Sequence, residues 1–252
     1  MSSHSDKQTV SNHDLHPSIT LTGEQFERLY LQPRDGTQGK HFAQNFANPT
    51  ALGVITFSLS VTIIAGYLLG FQGTSAESMP VAFGMFFLSS GLGLTLAGIF
   101  EFIIGNTFPF LVFTVVSGFF YSWGALQEPS QAVAAAFTGG AMAVPYTSGI
   151  GWYLVLWGLI HLVFAMGSLR TNVAFVWILT WVTMAAAFFG MGNGSINVMT
   201  LLKTGGAVAF IAAMGGWYLF ISLVLNAVGF PFNLPNPDLS SRVFSAKTKS
   251  PA

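Results

Sequence analysis

Between Asn48 and Val228 the chain carries only five formal charges: Glu77, Glu101, Glu128, Arg170 and Lys203. Charged residues make up 7% of the whole sequence, against roughly a quarter in ordinary soluble domains. Six apolar stretches fall in this region, near Ala51–Gly70, Val81–Ile104, Phe108–Leu126, Ile150–Met166, Val173–Met191 and Gly205–Val228. Each is long enough to cross a bilayer as a helix, which takes about 17–25 residues. Barrel strands would alternate over shorter segments. The expectation is therefore an all-α membrane protein, a six-helix bundle spanning residues 48–228. A polar N-tail (1–47) and a polar C-tail (229–252) flank it.

The remaining charges orient the bundle. Of nine Lys and Arg, seven lie in the tails: Lys7, Arg28, Arg34, Lys40, Arg242, Lys247 and Lys249. Six spans put both tails on one side, and Arg170 falls there too. The connections holding Glu77 and Glu128 lack basic residues and fall opposite, with Lys203 the exception. The positive-inside rule then places both termini in the cytosol. Met1–Ala47 has no early apolar core, so the first span itself is expected to direct insertion. A multi-pass protein of the plasma membrane is the expectation.

Zero net charge gives no pointer to nucleic acid, and the absence of cysteine removes thiolate metal sites and cysteine nucleophiles. No metal or cofactor is expected. His161 is the only histidine in a span, and a lone histidine makes no metal site. A proton relay and a packed, hydrogen-bonded side chain are both open for it. The spans hold no Asp to complete a serine protease, no late buried lysine for retinal and no phosphate-binding loop. Passage of a small solute remains, rather than catalysis.

Small residues recur every seven positions. Gly84, Gly91, Gly98 and Gly105 do so in the second span, and Gly151, Gly158 and Ala165 in the fourth. Such faces let helix backbones approach closely inside lipid, within one bundle or between subunits of an oligomer. Glu101 lies between Gly98 and Gly105, so it faces the seam. A carboxylate at mid-bilayer costs roughly 2.5–3.5 kcal/mol on insertion scales. It is either a protonation site or a hydrogen-bonded anchor for the turn that follows. In that turn Gly105 suits a left-handed helix end, and Thr107 suits a cap for the third helix.

The stretch "NPTALGV" starts the first span. Asn48 suits a helix cap and Pro49 the first helical position. The same stretch resembles the first-helix signature of the acetate uptake transporter family, the succinate–acetate permeases of bacteria and fungi, which reads Asn-Pro-x-Pro-Leu-Gly-Leu. Downstream, "LAGIFEFIIGNTF" is similar to the family's Ala-Gly-x-x-Glu-x-x-x-Gly-Asn-Thr-Phe segment. "SLRTN" and "LPNPDLSS" add weaker matches. The resemblance implies a six-helix subunit, a homo-oligomer (a hexamer) in the lipid bilayer, and proton-linked passage of acetate-like monocarboxylic acids. It places Asn48, Pro49, Leu52 and Gly53 along the substrate route, with Asn106 and Thr107 of the second motif, and leaves Glu101 as the candidate for proton coupling. The family's narrow point is lined by a Phe, a Tyr and a Leu. These positions fall on Phe57, Val116 and Val182 here, and the family's second proline is Ala51. A valine for the tyrosine implies a wider constriction with less hydrogen bonding. Passage of ammonia or another small neutral solute, and a non-transporting scaffold or sensor, stand as alternatives.

Overall fold

The computed structural model describes residues 46–192 and 197–240; the basic residues of both tails named above lie outside the described residues. Among the described residues, six helices are long and apolar enough to cross a membrane. They are α1 (Thr50–Leu69), α2 (Met85–Ile103), α3 (Thr107–Gln127), α4 (Val144–Ser168), α5 (Val173–Gly192) and α6 (Val198–Ala227). Short turns join α2 to α3 and α4 to α5 at one end of the bundle, the near end. The longer connections from α1 to α2 and from α3 to α4 lie at the far end.

Local chemistry sets the boundaries. Asn48 Oδ1 accepts from the Thr50 N–H at 3.0 Å, and Pro49 already has helical φ and ψ (−75°, −16°). Gly70 closes α1 in the left-handed region at φ 82°, which costs a glycine little. Gly105 ends α2 in the same way at φ 85°. Thr107 is not the cap of α3. It is the first helical residue, Asn106 stands at the cap position, and neither caps through its side chain.

The second span departs from the even helix expected over Val81–Ile104. A 3₁₀ segment at Ala76–Ala82, boxed by Ser75 and Ser78 and containing Pro80, precedes it. The chain then winds as a π-helix over Met85–Gly91 before the regular turns of Leu92–Ile103. In that wide turn Ser90 Oγ bonds Ser60 Oγ at 2.6 Å and the Thr56 carbonyl, both on α1. The helices α4 and α6 also start earlier than the apolar runs do, at Val144 with Pro145 in the first turn and at Val198. Their first two turns carry Tyr146, Thr147, Thr200 and Lys203, which hydropathy alone assigns to loops.

Small residues mark the helix contacts. A Cβ on Gly98 would sit 2.3 Å from Thr114 Oγ1, and one on Gly91 2.7 Å from the Tyr121 ring, so these two fasten α2 to α3 within the subunit. Gly216 meets Ser58 across α6 and α1, and Gly215 meets Trp177 across α6 and α5. Gly190 on α5 lies against Val155 and the Gly151 carbonyl of α4. Gly84 belongs to the same seven-residue series, yet nothing within 4 Å faces it. The result is a ring in chain order, with α6 beside α1. The α3–α4 gap is bridged mainly by aromatic rings: Phe119 on Tyr153 (6.2 Å) and Trp157 (5.3 Å), and Trp123 on Tyr153 (6.4 Å).

The described part of the C-tail is fastened to the near end. Val173 N–H donates to Pro237 O (3.2 Å), Leu239 N–H to Thr171 O (2.8 Å) and Tyr218 Oη–H to Pro235 O (2.6 Å). The "LPNPDLSS" segment thus meets backbone groups at the start of α5 that no helical turn serves.

The paired glycines give a direct test. Gly98→Leu forces α2 off α3 and is expected to cost about 1–3 kcal/mol or more, read as a lower melting temperature in detergent. Gly84→Leu is expected to melt within a degree or two of the parent, because its side chain enters open space. Equal melting of the two variants would remove the α2–α3 seam as a determinant of stability.

Candidate functional site: a two-chamber pathway with a shared wall

Two cavities run through the middle of the ring. The larger, about 370 Å³, extends inward from the far-end connections at Glu77, Gln127 and Ala141. That size lies within the ~300–1,000 Å³ usual for small-molecule sites. Its wall is built from α1 (Val61, Ile64), α3 (Phe119, Trp123), α4 (Leu154, Trp157) and α5 (Val182, Ala185). The smaller void, about 30 Å³, is lined by Val54, Leu94, Val112, Phe113, Phe175 and Ile178 among others. It has room for a water or two. Three residues belong to both walls: Phe57 of α1, Val116 of α3 and His161 of α4. They form the partition between the chambers.

Each partition residue has a packing reason for its place. Phe57 makes an edge contact with Phe120, ring centroids 6.3 Å apart. Val116 is 2% exposed. The His161 ring is held by Nδ1 at 2.7 Å from the Trp157 carbonyl, one helical turn back. Val182 lines the larger chamber only. Below the small void the near end is closed by aromatics. Phe113 lies 6.3 Å from Phe175, and Phe108 6.4 Å from Phe175. The Phe113 ring occupies the space beside Gly53, where a Cβ would stand 2.6 Å from it.

Glu101 sits at the near end and is fully buried. Thr50 Oγ1 donates to its Oε1, and Asn106 Nδ2 donates to its Oε2 at 2.7 Å. The Asn106 N–H also donates to the Glu101 carbonyl at 2.9 Å. One carboxylate therefore ties the start of α1 to the α2–α3 turn. None of these donors is a cation, so among the described residues hydrogen bonds to neutral groups compensate its burial.

The site residues expected from sequence separate into two groups. Phe57, Val116 and Val182 stand in the cavity walls. Asn48, Pro49, Leu52, Gly53, Asn106 and Thr107 line neither chamber; they gather at the start of α1 and the α2–α3 turn, around the Glu101 latch. The aromatic wall of Phe119, Trp123 and Trp157 and the partition role of His161 are additions from the structure. The spacing of His161 three residues after Gly158 puts it on the packed face of α4. Which chamber that face meets depends on three other helices.

The GPR1/FUN34/yaaH family profile matches residues 31–241. Protein alcS of Aspergillus fumigatus is 32% identical over 252 residues, covering 95% of this chain and 92% of its own. Acetate transporter protein patA of Penicillium expansum is 29% identical over 198 residues, covering 76% of this chain and 78% of its own. The fold matches the solved structure of the bacterial acetate channel SatP with a TM-score of 0.64 and 24% identity, over 76% of this chain and 99% of that one.

The latch can be taken apart without touching the chambers. Glu101→Ala leaves Thr50 Oγ1 and Asn106 Nδ2 without their partner and is expected to lower stability by about 1–3 kcal/mol, seen as a reduced melting temperature. Glu101→Gln still accepts from Thr50, and Asn106 can turn its amide to suit. It is expected to recover most of that loss. A Gln variant as unstable as the Ala variant would show that the negative charge itself holds the near end.

Proposed function

The chain belongs to the GPR1/FUN34/yaaH family, a family of acetate transporters and channels rather than enzymes, and from that premise we propose that it carries small monocarboxylic acids across the membrane in their undissociated form. The observation that supports this reading most is the lining of the pathway. Of all the wall residues of both chambers, Glu77 at the far-end mouth is the one Asp, Glu, Lys or Arg side chain. An ionised carboxylate entering such a wall loses its hydration for several kcal/mol of uncompensated cost. The neutral acid does not, and it fits a lining of rings, methyl groups and scattered hydroxyls.

Proton linkage follows from the same chemistry. An undissociated acid takes its proton with it and releases it into the more alkaline compartment. Glu101, bonded on both oxygens and outside both walls, then serves as the latch, and uptake needs no titrating carboxylate. Both termini are proposed to face the cytosol of a cell with this protein in its plasma membrane, the far-end chamber opening outward, and the subunit to work within a homo-oligomer. A wall with a charged side chain only at its mouth equally suits ammonia, which is the second reading.

Labelled acetate, propionate and butyrate entering proteoliposomes, corrected for protein-free vesicles, test the proposal. Rates are expected to fall as external pH rises, following the undissociated fraction. Uptake that holds steady while that fraction drops would favour a carboxylate route, and ammonia flux without acid flux would favour the second reading. Val116 gives a second handle. Val116→Tyr adds a ring between Phe57 and His161, and one methylene in an apolar pocket is worth about 1–3 kcal/mol. The butyrate-to-acetate rate ratio is expected to fall about tenfold; an unmoved ratio would place the size limit elsewhere.

A further inference from the structure

We propose that His161 is the specificity residue of the constriction: its Nε2 lone pair accepts a hydrogen bond from the O–H of an undissociated acid as the acid passes between the chambers. The proposal rests on the acid-transport reading above and names the group that recognises the solute.

Three observations converge on it. First, the partition has three members, and Phe57 and Val116 have no heteroatom in their side chains. His161 alone can form a hydrogen bond with something crossing there. Second, its tautomer is fixed. Nδ1 lies 2.7 Å from the Trp157 carbonyl. A carbonyl oxygen only accepts, so Nδ1 carries the proton, and in a neutral imidazole Nε2 is left as an acceptor. Third, that acceptor is free. Nε2 has no hydrogen-bond partner among the described residues. Nor is it sealed in the packing: the sealed, unpaired side-chain polar atoms there are Thr114 Oγ1 and Trp123 Nε1. An unpaired nitrogen that is not sealed, on a ring walling two cavities, faces cavity space.

No charged side chain stands at the constriction beside the ring. The titratable groups sharing its larger chamber are Glu77 and Tyr146, both from the far-end mouth, and the smaller chamber has none besides His161 itself. The side chains that face the constriction from α1, α3 and α5 are apolar: Phe57, Val61, Val116, Phe120, Val182 and Ile178. With no carboxylate to pair an imidazolium, the constriction offers a lone pair and no positive charge. It therefore favours a solute that brings a donor, the acid O–H, and disfavours a carboxylate, which brings two more acceptors. Sites built around a hydrogen bond discriminate far more strongly against solutes lacking it than apolar pockets do by size. The expected loss of hydrogen bonding at Val116 is thus made good from the neighbouring helix.

The full-length chain in proteoliposomes tests this with His161→Leu and His161→Gln. Leucine fills the space with no acceptor, whereas glutamine returns an amide oxygen at a similar reach and cannot titrate. Acetate uptake at a fixed acidic pH is expected to drop at least tenfold in H161L and to stay within about threefold of the parent in H161Q, whose rate–pH profile keeps the parental shape. H161L transporting within twofold of the parent, or H161Q as slow as H161L, would overturn the proposal. An ammonia arm run in parallel shows whether the same acceptor serves an N–H donor. Should H161L fail to fold, or should the parent move no acid at all, nitrogen NMR of labelled histidine decides separately. The signal missing from H161Q is expected to show a protonated Nδ1 and a bare Nε2 that shifts as acetic acid is added at low pH. A protonated Nε2, or one indifferent to saturating acid, would end the His161 proposal whatever the transport data say.

Discussion

Lipid gives helices no hydrophobic reason to associate, so this bundle depends on how closely its backbones can approach. Five of the six neighbouring pairs in the ring meet across small residues: Thr56 and Gly93, Gly98 and Thr114, Gly190 and Gly151, Gly215 and Trp177, Gly216 and Ser58. The sixth pair, α3 and α4, meets through rings instead. Rings hold backbones apart, and the larger chamber reaches into that wider seam at Phe119, Trp123, Leu154 and Trp157. Where glycine closes five seams, aromatic spacers leave the sixth wide.

The polar groups are distributed unevenly along this axis. At the near end they satisfy one another. Glu101 takes the hydroxyl of Thr50 and the amide of Asn106, and the C-tail segment takes N–H groups from the first turn of α5. Such mutual satisfaction is what burial demands of a carboxylate. Midway, Ser90 pairs with Ser60 between α1 and α2, which leaves hydroxyls out of the chamber on that side. His161 differs because its helix satisfies only one of its two ring nitrogens.

Much of this was legible in the sequence, and the limits have physical reasons. The scarcity of charge dictated six spans, and Gly105 announced the tight turn that the structure makes at φ 85°. The spacing of Glu101 between Gly98 and Gly105 correctly put it in a seam, because helical periodicity is local. The π-helical turn at Met85–Gly91 was not legible, since the apolar run there fits an ordinary helix equally well. The starts of α4 and α6 were missed because helices run on past the hydrocarbon-like residues into polar turns. Gly84 shares a period with Gly91 and Gly98 but faces open space, since the π-helical turn of Met85–Gly91 stands between them and shifts the phase that period assumes. The convergence of Phe57, Val116 and His161 joins three helices far apart in the chain, and no single-helix pattern encodes it.

The chambers also fix which way this conformation is open. The larger one reaches the far-end connections, whereas the smaller ends against Phe113 and Phe175 with the Glu101 latch beyond. A solute past His161 therefore meets a ring next. Gly53 is the reason that ring can lie where it does: with any side chain there, Phe113 would be pushed away from α1. The glycine of the first-helix motif thus acts on the pathway from behind a phenylalanine, without lining it. Asn48 and Pro49 act one step further back, by setting where α1 begins and so where Thr50 meets Glu101. Under the proposed transport reading, the motif residues would govern the closed near end, and the choice of solute would fall to the partition above it.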